Sequence, residues 1–252
     1  MTPMLILIIS FIFLFGIVIG SFLNVCIYRI PEREDIVREP SHCMNCGYQL
    51  KWYDLIPIFS FLFLKGRCRK CGTRLSIQYP AIEALNGILY VVVFLVTDFT
   101  VESFLYCALT SALIVLSVID FRTFEIPFGI NVFIFLLGIV QCITDTKHLV
   151  SYAIGFLAVS VFLLLLQILS KGRAVGGGDV KLMAAAGLLL GWKLVILAFV
   201  LGCIIGSVIH LCRMRIQGEG HVLALGPYLS VGIWIAALWG SRMLDWYFGL
   251  FM

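Results

Sequence analysis

Long stretches without a charge alternate with short charged ones along almost the whole chain. Eight apolar runs stand out, near residues 4–28, 80–97, 103–120, 126–144, 148–169, 180–191, 193–212 and 222–241. A helix advances about 1.5 Å per residue, so about 20 apolar residues cross a hydrocarbon layer about 30 Å thick. Seven runs come close to that length. The sixth is short, and reads as a tilted, partial or re-entrant helix lining a cavity. No basic residue precedes the first run and no small-residue cleavage site follows it, while Arg29, Arg33 and Arg38 come next, so it reads as a retained span rather than a signal peptide. The pattern predicts an all-α polytopic membrane protein with about eight transmembrane helices.

Composition agrees: 62% of the 252 residues are hydrophobic and 13% charged, with a mean hydropathy of +1.07, too apolar for a water-soluble domain. Residues 29–79 break the pattern. They hold nine of the eighteen basic residues and carry too many charges to cross a bilayer, so they form an extramembrane domain inserted after the first helix. The division expected is 1–28 as first span, 29–79 as insert and 80–252 as the remaining membrane domain.

The net charge of +4 matters through its distribution. With spans alternating, the insert falls on one side with Arg122, Lys171, Arg173, Lys181, Arg213 and Arg215. Lys147, Lys193 and Arg242 fall opposite, fifteen basic residues against three. Positive charge marks the cytosolic side, which puts the insert inside and the amino terminus outside. The basic surplus reports orientation, and nucleic acid is not an expected partner.

Of nine cysteines, Cys43, Cys46, Cys68 and Cys71 form a spaced set. They make two C-x-x-C knuckles, each followed by glycine (Gly47, Gly72) and separated by twenty-one residues. Such knuckles bring four thiolates onto one tetrahedral zinc, as in zinc ribbons. Four sulfur ligands leave no open position, so the metal is expected to be structural. Cytosolic placement disfavours the alternative of disulfides.

Two aspartates carry the candidate chemistry. Asp120 ends the third run, with Ile126-Pro127 opening the fourth; Asp179 follows Gly176-Gly177-Gly178 and opens the sixth. Ionisable groups at span ends are costly to desolvate and mark function. Taken singly, Asp179 could cap a helix and Asp120 could pair with Arg122. Topology decides: the third span ends inside and the sixth begins inside, so both lie on one face. Two carboxylates close together in a low-dielectric site divide one proton, so that one activates water and the other hydrogen-bonds a scissile carbonyl.

Other groups compete less well. Glu125 lacks a glycine-rich partner, Glu83 sits inside the second span within reach of a pairing with Arg74, and Asp98, Glu102 and Asp145 fall outside. His210 and His221 flank the last cytosolic loop without a third ligand. Gly16-x-x-x-Gly20, Gly187-x-x-x-Gly191 and Gly202-x-x-x-Gly206 predict close helix packing, and Leu225-Gly226-Pro227-Tyr228 opens the last span with a break. No internal repeat is expected. A rival class, a proton-coupled transporter relaying protons through Asp120 and Asp179, predicts paired repeats and broken helices.

Taken in order, the motifs resemble those of bacterial type IV prepilin peptidases, over nearly the whole chain. They are Gly20-Ser21-Phe22-Leu23-Asn24-Val25, Tyr28-Arg29-Ile30-Pro31, the cysteines framing Trp52-Tyr53-Asp54-Leu55-Ile56-Pro57, Gly66-Arg67-Cys68, Tyr79-Pro80 with Glu83, Asp120 before Ile126-Pro127, and the Gly-x-Gly-Asp ending at Asp179. Met44-Asn45 departs from the family, many of whose members have proline after the first cysteine. The resemblance implies an aspartic endopeptidase of the inner membrane that cuts prepilin or pseudopilin leaders after a glycine on the cytosolic side. It also implies methyl transfer from S-adenosylmethionine to the new terminal amine, a second activity linked to the cysteine-bearing insert. No Rossmann fingerprint locates the methyl donor; Gly20, Asn24, Arg29 and Glu83 are the candidates offered.

Overall fold

The computed structural model describes residues 3–217 and 224–250. Among them the regular structure is helical, with two isolated bridged residue pairs and no strand. Two compact units divide the chain, Met1–Asp98 and Phe99–Met252.

The first unit holds α1 (Pro3–Glu32), the five-residue α2 (Phe59–Phe63) and α3 (Gln78–Thr97). α1 and α3 run antiparallel and nearly touch. A Cβ built on Gly16 would fall 2.8 Å from the Gly87 Cα, and one on Gly20 would fall 2.7 Å from the Glu83 Cα. Small residues let the backbones approach this closely, and the approach brings polar groups into partnership inside an apolar pair. The Asn86 amide donates to the Gly16 carbonyl at 2.7 Å, and the Asn24 amide to the Tyr79 carbonyl at 3.1 Å. The second apolar run thus packs with the first, and the compact units part after it, at Asp98.

The second unit holds α4 (Val101–Thr123), α5 (Phe128–Thr144), α6 (Leu149–Ala158), α7 (Ser160–Leu169), α8 (Gly177–Leu190), α9 (Trp192–Gln217) and α10 (Gly226–Gly249). Thr100 caps α4, accepting from the Ser103 N–H, and Phe124 ends it in the left-handed region. α8 spans about 21 Å by its rise per residue, less than a hydrocarbon core, and most of its side chains are buried. The other glycine patterns are packing contacts as well. Gly187 lies against Gly155 of α6, and Gly202 of α9 lies against Leu229 of α10.

Five segments of the described residues are long and apolar enough to cross a membrane: Pro3–Glu32, Gln78–Thr97, Val101–Thr123, Thr146–Leu169 and Trp192–Arg215. Phe128–Thr144 is apolar but shorter. The fifth run is interrupted at Val159, between α6 and α7, where a single helix was expected. Asp120 sits within the last turn of α4, three residues before its end.

Candidate functional site

The insert is built on two nearly identical turns. In the first, the Cys43 N–H donates to the Tyr48 carbonyl and the Gly47 N–H to the Cys43 carbonyl, both at 2.9 Å. In the second, Cys68 donates to Thr73 at 2.8 Å and Gly72 to Cys68 at 2.9 Å. Bridges pair His42 with Gln49 and Arg67 with Arg74. Gly47 and Gly72 take φ of 67° and 71°, a conformation that favours glycine. The segments 41–50 and 66–75 therefore form an internal repeat, where none was expected; Cys-x-x-Cys-Gly-x-x-Leu, read twice, was its signal.

The two turns bring four sulfurs within 4.8 Å of one another. Cys43 and Cys71 are 3.9 Å apart, against about 3.8 Å for the edge of a tetrahedron with Zn–S bonds of about 2.3 Å. The Thr73 N–H and the Asn45 amide draw the Cys71 thiol down to about 6. Although the Tyr48 N–H favours the Cys46 thiolate, burial and neighbouring sulfurs push it up to about 11. A bound dication removes that competition, so the donor set fits a metal. Beside it, Arg69 forms a 2.7 Å ion pair with the buried Asp54, which also accepts from the Tyr48 hydroxyl and the Lys51 N–H.

Gly20, Asn24, Arg29 and Glu83 gather where α1, α3 and the insert meet. Gly20 provides the close approach to Glu83. Arg29 is buried and donates to the carbonyls of Asp35, Glu39 and Pro40. Glu83 accepts from the Ile58 N–H at 2.7 Å and from Ser21, and among the described residues no ion pair joins it to Arg74. These four residues hold the joint together.

In the second unit, Asp120 and Asp179 are both buried, at 5% and 8% exposure, and lie close enough for the charge of one to act on the other. The Gly226 N–H at the start of α10 donates to Asp120 Oδ2 at 3.0 Å. A Cβ on Gly226 would fall 2.6 Å from that oxygen, so this position has no room for a side chain. Pro227 follows within the first helical turn, where its missing N–H leaves no bond unmade. Asp179 stands in the first turn of α8 and accepts from the Gly176 N–H. Gly178 packs on Ile126, and its carbonyl accepts from the Asn131 amide of α5 at 3.3 Å.

Two of these residues were missed or misread in the sequence. Asn131 received no role, although a polar amide within an apolar run was a signal. Gly226 was read only as part of a break opening the last span, whereas its N–H binds the Asp120 carboxylate directly. Among rival acids, Asp145 bonds His148 and Tyr152, and Glu102 accepts from Gln141. His221 lies outside the described residues, and among those described the four cysteines form the one group of three or more potential ligands able to share an ion.

Two family models match the chain: the bacterial peptidase A24 N-terminal domain over residues 14–97 and the type IV leader peptidase family over residues 107–211. Relatives named prepilin leader peptidase/N-methyltransferase align over most of their length. That of Bacillus subtilis is 32% identical over 94% of this chain and 97% of its own. That of Xanthomonas campestris is 30% identical over 92% and 91%, and that of Pseudomonas putida 29% identical over 90% and 89%. No solved structure matches the chain. Nothing in these likenesses points to proton-coupled transport; the chain belongs to the type IV leader peptidase family.

Proposed function

We propose that this enzyme removes the leader of type IV prepilins and pseudopilins after a glycine, at the cytosolic face of the bacterial inner membrane, and then methylates the new terminal amine from S-adenosylmethionine. The observation that carries the reading is the pair of buried carboxylates, Asp120 and Asp179, each accepting a glycine backbone N–H.

Two such acids divide one proton. The ionised member takes a proton from water as the oxygen attacks the scissile carbonyl carbon. The protonated member donates to the carbonyl oxygen, and collapse of the tetrahedral intermediate returns a proton to the departing amine. The Gly226 N–H fixes one Asp120 oxygen, and Asn131 steadies the peptide preceding Asp179, so the carboxyls meet water and substrate in a set geometry. A substrate confined to the same membrane gains in encounter and orientation without tight contacts.

Four cysteine thiolates hold zinc, which supplies structure to the insert and no open coordination position. The acceptor for methylation is the amine that cleavage exposes, so the two activities follow in that order.

Asp120→Asn and Asp179→Asn, made separately and assayed on a membrane-inserted prepilin, should each lower leader removal at least about 1,000-fold, in keeping with loss of an acid–base group. Processing within about tenfold of the unaltered enzyme would remove that aspartate from the pair. In the unaltered enzyme, labelled methyl donor should tag the mature product; complete cleavage without label would sink the second activity.

A further inference from the structure

Between Asp54 and Lys65 the insert carries ten consecutive residues without a charge, Leu55 to Leu64. The structure does not bury them. Phe59 is 64% exposed, Leu62 65%, Phe63 82% and nearby Trp52 78%. A contiguous apolar patch of this kind is unsuited to water and marks a contact with something apolar.

Its position within the first unit says what. The Ile58 N–H donates to Glu83, which lies five residues into α3 and therefore about 8 Å along its axis from Gln78. Glu83 in turn is level with Gly20 of α1. From Gly20 back to Pro3, α1 covers about 26 Å, and from Glu83 on to Thr97, α3 covers about 21 Å. Hydrocarbon of ordinary thickness then reaches at least to the level of Glu83. The backbone at Ile58 is thus fixed at the membrane boundary, and α2, beginning one residue later, is held there with it. Exposed Lys51, Lys65 and Arg67 flank the run, where cationic side chains meet anionic headgroups, and Trp52 has the amphipathic ring favoured at that depth.

We infer that the segment from Trp52 to Leu64 is a lipid-binding element, with Phe59, Leu62 and Phe63 dipping into the bilayer boundary beside α1 and α3. The insert is then anchored by lipid as well as by its two flanking helices. The inference rests on α1 and α3 crossing the membrane.

The test places the photoreactive residue p-benzoylphenylalanine in the full chain, reconstituted in vesicles of phosphatidylethanolamine and phosphatidylglycerol, at Phe63 and, in a second variant, at Phe59. Irradiation should give phospholipid adducts by mass at both positions. The same label at Met44, 81% exposed on the first knuckle, should give at least tenfold fewer. Leu14 of α1, 49% exposed, reports the spanning helix itself. Adducts at Leu14 with none at Phe59 or Phe63, or cross-links there to a protein partner or a second copy, would overturn the proposal while leaving the spanning helices intact. No lipid adduct at Leu14 would remove both.

Discussion

Gly226 and Asn131 touch the aspartates' surroundings without supplying the reacting groups, and each position can be tested alone. In Gly226→Ala the new methyl meets Asp120 Oδ2 at a separation real side chains do not show. The carboxylate must shift, and a displacement of about 1 Å can cost about 100-fold in rate, so kcat on a prepilin should fall 10- to 100-fold in an enzyme that still folds. Asn131→Leu keeps the volume and loses the bond to the Gly178 carbonyl; about a tenfold fall in kcat with little change in KM is expected. In the insert, burial works against the charge of Asp54, but the bonds from Arg69 and Lys51 outweigh it and hold its pKa below the usual carboxylate value. A lowered folded-state value means stability present at neutral pH and lost as pH falls through that value. Arg69→Met should therefore cost about 2 kcal/mol at pH 7, with the gap to the unaltered protein narrowing below about pH 4, as thermal unfolding in detergent would record. The aspartates were legible because a charge at a span end has few purposes. Asn131 and Gly226 were not, because their roles arise from neighbours 47 and 106 residues away.

Among the elements, apolar length located the helices within about five residues, except that α10 runs eight residues past its expected end at 241, and the short sixth run proved to be the short α8. The interruption at Val159 was hidden, since neither proline nor glycine stands there. The knuckles were legible from spacing, though their repetition as whole turns was not, because four shared identities in ten residues disappear among differing charges. Each knuckle has its own backbone bonds; sulfur, the neighbouring Asn45 contacts and the Asp54 carboxylate, which accepts from both Tyr48 and Arg69, join one to the other. The purified enzyme should hold one zinc per chain by elemental analysis. Cys43→Ser or Cys68→Ser, each removing a buried sulfur, should lower that content by at least tenfold; unchanged zinc would refute the ligand set.

For the whole molecule, the proposed orientation follows from the fifteen-to-three division of basic residues. Cys46 and Cys71 are exposed. After chelation, in a chain whose other cysteines are replaced, a membrane-impermeant maleimide should label them in inverted inner-membrane vesicles and leave them unlabelled in intact spheroplasts. The reverse pattern would turn the topology over. What the linear reading could not supply was the grouping of helices, because runs of similar hydrophobicity do not say which pairs meet.

The antiparallel register of α1 and α3 makes the extramembrane segment a detour with a single doorway. Chain leaves the bilayer and re-enters it between helices already clasped at Gly16, Gly20 and Gly87. The threshold is latched from within: Arg29 and Glu83, buried in the helix pair, take their partners from the excursion, so its far loops can be lengthened or exchanged, whereas cutting it out whole would strand two charged groups.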